Sequence, residues 1–159
     1  MSGRFRGSDS RGFTMIELIV AFALIGILSA AAVPSFLTYW QSAALKAGAE
    51  ALAVILNKGR QLAINTNNFV CVEQSANLVR FRPSNAATCT GTPWMGGGTD
   101  GNGWLRLDNA LQVSVVTANV IFTHMGAAAP SGTYTVRNPV NAKTLSVIVA
   151  GSGRVTIGP

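Results

Sequence analysis

Apolar residues run almost unbroken from Leu18 to Val33, about sixteen uncharged positions, and beyond them the pattern becomes amphipathic. Leu45, Leu52, Ile55, Leu56, Leu62 and Ala63 recur at helical spacing, while Lys46, Glu50, Lys58 and Gln61 fall mostly off that stripe. Together the two patterns predict one long helix over residues 13–64. Its first half, 13–33, has membrane length, because a helix rising ~1.5 Å per residue covers roughly 30 Å there. Pro34 has no N–H to return to the preceding turn, which predicts a kink, after which an amphipathic half resumes over 34–65. At the Asn65-Thr66-Asn67-Asn68 turn cluster the period changes to two. Residues 69–73 and 78–82 alternate as half-buried strands joined by the polar turn 74–77. Further strands are predicted at 104–107, 112–116, 120–123, 133–136, 145–149 and 154–157. The stretch between them at 90–103, with its glycine run at 96–98, reads as a mobile surface loop. The sum is an α+β chain: a long N-terminal helix, membrane-spanning in its first half, packed on an antiparallel sheet or pair of sheets.

Composition narrows the picture. The 159 residues leave about 120 after the apolar segment, enough for one domain with a modest core. Only 11% of residues are charged, which suits a domain packed against neighbours. The formal net charge is +6, of which Arg4, Arg6 and Arg11 against Asp9 contribute +2, leaving +4 on the remainder. Arginines just ahead of the span keep that end cytoplasmic and send the C-terminal domain across the membrane. Cys71 and Cys89 are the two cysteines. In an oxidising compartment they can close a loop worth about 3 kcal/mol in the chain-entropy model, and two free buried thiols are the alternative. With a single histidine they cannot complete a four-ligand zinc site, and no metal site is expected.

Gly12-Phe13-Thr14-Met15-Ile16-Glu17 stands between the basic leader and the apolar run, so a carboxylate lies at the edge of a membrane-length segment. An ionised side chain at mid-bilayer costs roughly 2.5–3.5 kcal/mol even on lenient scales, so Glu17 needs a partner. Cleavage after Gly12 would expose an amine on Phe13 four residues earlier, and in a packed array one subunit's carboxylate can face its neighbour's amine. A cleaved secretory signal has its basic start, apolar stretch and small-residue exit at Ala30-Ala31-Ala32, but no use for Glu17. A plain single-span anchor explains neither Gly12 nor Glu17. The segment Gly-Phe-Thr-Met-Ile-Glu-Leu ahead of an apolar helix resembles the processing signal of type IV pilins and type II secretion pseudopilins. The resemblance implies that a prepilin peptidase removes residues 1–12, that Phe13 is N-methylated, and that Glu17 directs assembly. It further implies a single-pass inner-membrane protein with a β-rich periplasmic domain at 66–159, whose partners are other pilins or pseudopilins and an inner-membrane assembly platform.

The C-terminal third adds Ile121-Phe122-Thr123, Gly126, Gly132 to Val136, Ser146 to Val149 and Gly151-Ser152-Gly153-Arg154-Val155, a pattern similar to the close of GspH/FimT-type minor pilins and pseudopilins. Gly153 is placed by that pattern in a tight turn with positive φ ahead of the last strand. In the secretion branch the resemblance implies a minor pseudopilin that supports protein secretion. In the pilus branch some members bind DNA through Gly-Arg-x-Arg, which here reads Gly153-Arg154-Val155-Thr156. Thr156 in place of the second arginine removes a phosphate contact and weakens such binding. Arg80, Arg82, Arg106, Arg137 and Lys143 are the other cations available to DNA, and they read equally as scattered solvated charges, since no contiguous basic run exists. No enzyme is expected. His124 has no nucleophile or carboxylate set around it by any motif, the glycine run lacks the following Lys-Ser/Thr of a phosphate loop, and Asp100 with Asp108 is weak as a calcium pair. No cofactor is implied. Trp40 reads as an interfacial anchor, and Trp94 and Trp104 as packing the glycine-rich loop onto the sheet.

Overall fold

The computed structural model describes residues 12–107 and 111–158; Arg4, Arg6, Asp9 and Arg11 of the leader and Asp108 lie outside these. Helix α1 runs Met15–Thr66 with Pro34 inside it, and the chain divides after Tyr39 into two units. The helix starts two residues later than the apolar pattern suggests because Thr14 caps it. Its hydroxyl oxygen accepts the Glu17 N–H at 3.3 Å, satisfying one of the donors that a helix start leaves unpaired.

In the first unit the side chains from Phe13 to Leu37 are exposed almost without exception. An 18-residue window there has a mean hydropathy of 2.5 with none of it buried. By length and composition the helix is apolar enough to cross a membrane.

The second unit begins at Trp40 and holds eight strands. They are β1 (Phe69–Ser75), β2 (Leu78–Ser84), β3 (Trp104–Arg106), β4 (Gln112–Val115), β5 (Ile121–Phe122), β6 (Gly132–Arg137), β7 (Thr144–Val149) and β8 (Val155–Gly158). Every strand predicted from period-two patterning is present, with ends moved by one or two residues. They form two antiparallel sheets of four, ordered β3-β2-β1-β5 and β4-β6-β7-β8. The β1–β2 hairpin pairs Phe69 with Ser84 through to Ser75 with Leu78, which places Val70 and Val72 on one face with Val79 and Phe81.

Both sheets bury a face on the second half of α1. Leu45, Ala49, Leu52, Leu56 and Ala63 join Val70, Val72, Val79, Phe81, Tyr134, Val136 and Val147 in one core, while Ile55 and Leu62 pack at its margin. Two helix glycines set the distance of approach. A Cβ at Gly59 would stand 2.8 Å from the Phe81 ring, and one at Gly48 would run into the Leu111 side chain. Gly59 thus admits the first sheet and Gly48 the second, eleven residues or about three turns apart.

Tyr134 ties the two sheets together. Its hydroxyl donates to the Val72 carbonyl of β1 at 3.2 Å and accepts the Val120 N–H at 3.0 Å. Burial pushes its pKa up to about 12, the hydrogen bond from Val120 offsetting a little of that. At the other end Asn138, buried, accepts the Val140 N–H and donates to the Gln41 carbonyl of α1, securing the β6–β7 connection to the helix.

Cys71 and Cys89 are joined by a disulfide with Cα atoms 5.2 Å apart. Cys71 points away from Val70 and Val72 by strand alternation, so the bridge fastens the segment after β2 to the outer face of the first sheet. That segment is not the loose loop its glycines suggest. Trp94 N–H donates to the Phe81 carbonyl at 2.8 Å, and Lys58 of the helix lies 4.9 Å above the Trp94 ring while donating to the Gly97 carbonyl. Gly96 and Thr99 share three hydrogen bonds, two through the Thr99 hydroxyl and one from the Thr99 N–H to the Gly96 carbonyl.

Candidate functional site

The N-terminal segment of the first unit carries the candidate processing and assembly residues. Gly12 and Phe13 precede the helix in exposed, non-helical backbone, and no atom comes within 4 Å of a Cβ placed on Gly12. Glu17 occupies the third helical position, which the Thr14 cap fixes. Thr14 and Glu17 have the Ser/Thr-x-x-Glu spacing of a capping box, and a negative side chain in a first turn is favoured by the helix dipole. Thr14 therefore caps the helix as well as belonging to the Gly-Phe-Thr-Met-Ile-Glu segment, a role that its spacing from Glu17 makes visible in the sequence. Glu17 is exposed within a single chain, among Ile16, Leu18 and Val20, which are exposed as well.

In the second unit a shallow apolar cleft of about 240 Å³ lies along α1, lined by Trp40, Ala43, Ala44 and Ala47. Small residues there allow another surface close to the helix backbone.

The candidate DNA-binding cations fall into separate groups. Arg80 and Arg82 lie together on β2, and both donate from Nε to the same Glu73 oxygen, at 2.6 and 2.8 Å. Burial alone pushes the Glu73 pKa up, but the hydrogen bonds and charges of Arg82 and Arg80 outweigh it and hold the carboxyl below its ordinary value. Arg82 also donates to the Gly91 carbonyl at 2.7 Å, and Arg80 stacks 4.2 Å from the centre of the Trp104 ring. These two charges are thus largely spoken for by the fold, a pairing the sequence hinted at only through cross-strand register. Arg137 and Lys143 are exposed beside the β6–β7 connection, where Asn138 N–H meets the Lys143 carbonyl. Arg154 is exposed just before β8, at the other end of β7, about 17 Å away for a strand of that length. Arg106 is exposed at the end of β3. Gly153 has φ +78° in the turn before Arg154, as the sequence predicts, and a Cβ there would strike the Gly126 carbonyl.

The other residues singled out in the sequence have structural surroundings. His124 is exposed just past β5, its ring edge-on to Phe69 at 6.0 Å. The Asp100 carboxylate closes its own turn by accepting the Asn102 and Trp104 N–H groups, both at 2.8 Å. Among the described residues no three His, Cys, Asp or Glu side chains gather as a metal site would require.

Comparison with known proteins bears on both units. Residues 7–33 match the family described as the prokaryotic N-terminal methylation motif. Among curated proteins none matches the chain in sequence. Three solved structures share its fold. The Escherichia coli GspH solution structure is 13% identical, covering 72% of this chain and 87% of that one with a TM-score of 0.58. The minor pseudopilin EpsH from the type 2 secretion system of Vibrio cholerae is 14% identical, covering 71% and 94% with a TM-score of 0.54. The type IV minor pilin FimU of Pseudomonas aeruginosa is 16% identical, covering 72% and 93% with a TM-score of 0.50. At these identities the likeness is one of fold.

Proposed function

We propose that this chain, with the prepilin methylation motif at its N-terminus and the fold of GspH-type minor pilins and pseudopilins, is a minor filament subunit of a type II secretion or type IV pilus system that supports protein secretion. The observation that carries this reading is the N-terminal segment: Gly12 and Phe13 in exposed backbone, a capped helix start holding Glu17, and an exposed apolar helix of membrane length.

In this reading a prepilin peptidase cuts after Gly12 and Phe13 becomes the methylated N-terminus. The helix then anchors the subunit in the inner membrane by one pass, with the domain from Trp40 onward in the periplasm. During assembly the helix leaves lipid for a bundle of neighbouring helices. There the Glu17 carboxylate needs a counter-charge, and the Phe13 amine of an adjacent subunit supplies it. Binding of DNA through Arg154 is the second reading. Its weakness is that Thr156 replaces one cation and that Arg80 and Arg82 already share Glu73.

Intact mass of the mature protein tests the processing step. The expected product begins at methylated Phe13 and retains the apolar helix, and Gly12→Ala leaves the precursor uncut. A product lacking everything to about Ala32 overturns the reading. As a second arm, Glu17→Val is expected to insert in the membrane yet stay out of sheared or crosslinked filaments, and wild-type incorporation would refute the role given to Glu17.

A further inference from the structure

We propose that the cleft beside β3 binds a neutral saccharide. The cleft has a volume of about 600 Å³ and is lined by Asn77, Leu78, Gly98, Thr99, Asp100, Trp104 and Arg106, within the size range of small-ligand sites. It lies where the β1–β2 turn, β3 and the pinned glycine-rich loop meet.

Three features give it a chemistry. The first is an aromatic wall held in place from behind. Trp104 lines the cleft while the Arg80 guanidinium lies over its ring, and Arg80 is itself fixed by Glu73. An indole so held is ordered before any ligand arrives, which lowers the entropy cost of binding. The second is a set of polar groups with unused capacity. Asp100 commits one oxygen to two backbone N–H groups. Its other oxygen, the Asn77 amide, the Trp104 indole N–H and the Arg106 guanidinium have no hydrogen-bond or ion-pair partner among the described residues. The third is charge balance in the lining. Asp100 and Arg106 carry opposite charges on the same cleft, while Arg80 and Arg82, behind it, are turned to their shared Glu73 carboxylate.

An anion or a cation would meet one attraction and one repulsion here. A sugar ring matches what is present. Adjacent hydroxyls can accept from the guanidinium fork and donate to the carboxylate, the amide serves either way, and the C–H face of the ring packs on Trp104 and Leu78. The openness of the site to solvent along the sheet edge suits a chain of sugars better than a single enclosed one. Soluble oligosaccharides and insoluble glycan polymers share this chemistry.

The test uses the full chain in a detergent without a sugar headgroup, because a maltoside would compete. Calorimetric titration with cellohexaose, hexa-N-acetylchitohexaose and maltohexaose covers soluble ligands, and co-sedimentation with chitin and with cellulose covers polymers. At least one is expected to bind. A soluble hexasaccharide should have a Kd on the order of 10⁻⁴–10⁻³ M, since polar ligands exchange water hydrogen bonds for protein ones at small net gain. Arg106→Ala, on the exposed end of β3, should weaken binding about tenfold without unfolding the protein, as should Asp100→Asn to a lesser degree; far-UV circular dichroism and the melting curve check the fold. Binding confined to a polymer assigns the site to that source and upholds the chemistry. Absence of binding in every arm overturns the proposal. So does binding unchanged in both variants, or tighter binding of an acidic glycan such as polygalacturonate.

Discussion

Two side chains in the second unit hold polar links that a core of aliphatic residues could not make. Tyr134 satisfies a carbonyl on one sheet and an N–H leading into its short edge strand, so its removal leaves both groups buried and short of a partner. Tyr134→Phe should cost about 1–3 kcal/mol at neutral pH, read as a lower urea midpoint. The pH dependence has a definite sign. The phenol's folded pKa, about 12, lies above its ordinary 10.0, so its contribution is complete below pH 10 and is lost as pH rises from 10 toward 12. The gap between wild type and variant should therefore narrow over that range. Glu73 behaves in the opposite sense. Its folded pKa lies below the ordinary 4.5, so its contribution is present above that value and disappears as pH falls through the lower folded one. Glu73→Gln leaves Arg80 and Arg82 without their shared carboxylate; it should destabilise by about 1–3 kcal/mol at pH 7 and flatten the acid limb of the stability curve. An unchanged acid limb would show that the pairing contributes nothing.

Among the elements, α1 does two jobs with different surfaces. Its first half is apolar on all sides and exposed in the single chain, and its second half is a stripe on which two sheets rest. Gly48 and Gly59 interrupt that stripe. A glycine in a helix interior costs about 1 kcal/mol relative to alanine, so each must offset this by what it admits. Gly59→Val tests the point. The branched side chain would meet Phe81 and Val72, both fully buried, and overpacking of this kind costs typically about 1–3 kcal/mol. The expected result is a lower urea midpoint despite the better helix propensity of valine. A variant as stable as wild type would mean that the sheet can shift away freely.

For the whole molecule, the long segment between β2 and β3 is held by one covalent bond and several weak ones. Its disulfide spans eighteen positions. Replacing Cys71 and Cys89 together by serine should cost about 3 kcal/mol through the regained freedom of the unfolded loop, together with the cost of two buried or half-buried hydroxyls. Urea unfolding of the variant against the oxidised wild type measures it, and reduction of the wild type should give a similar fall. Because Cys71 lies on the strand paired with both β2 and β5, the loss should be felt across the first sheet and not in the segment alone. An unchanged midpoint would mean that Trp94, Lys58 and the Gly96–Thr99 turn hold the segment unaided.

Much of this architecture was legible in the chain itself. The uninterrupted run from Leu18 to Val33, the stripe from Leu45 to Ala63 and the later period-two segments are local patterns, and each side chain's burial follows from its neighbours three, four or two positions away. They yielded the helix and all eight strands, with small errors at the ends where capping decides the boundary. Gly153, placed in a tight turn by the resemblance of the closing segment, has the positive φ expected there. Other features depended on which distant segments meet. Nothing local distinguishes Gly59 from any other helical glycine until Phe81 is set against it. Arg80 and Arg82 read as free cations until the hairpin register brings Glu73 between them. The glycine run at 96–98 looked unrestrained because its restraints come from Lys58 on the helix, from Phe81 on β2 and from a disulfide to β1. Periodicity reports what each residue prefers to face; only the closing of two sheets on one helix decides which residue it faces.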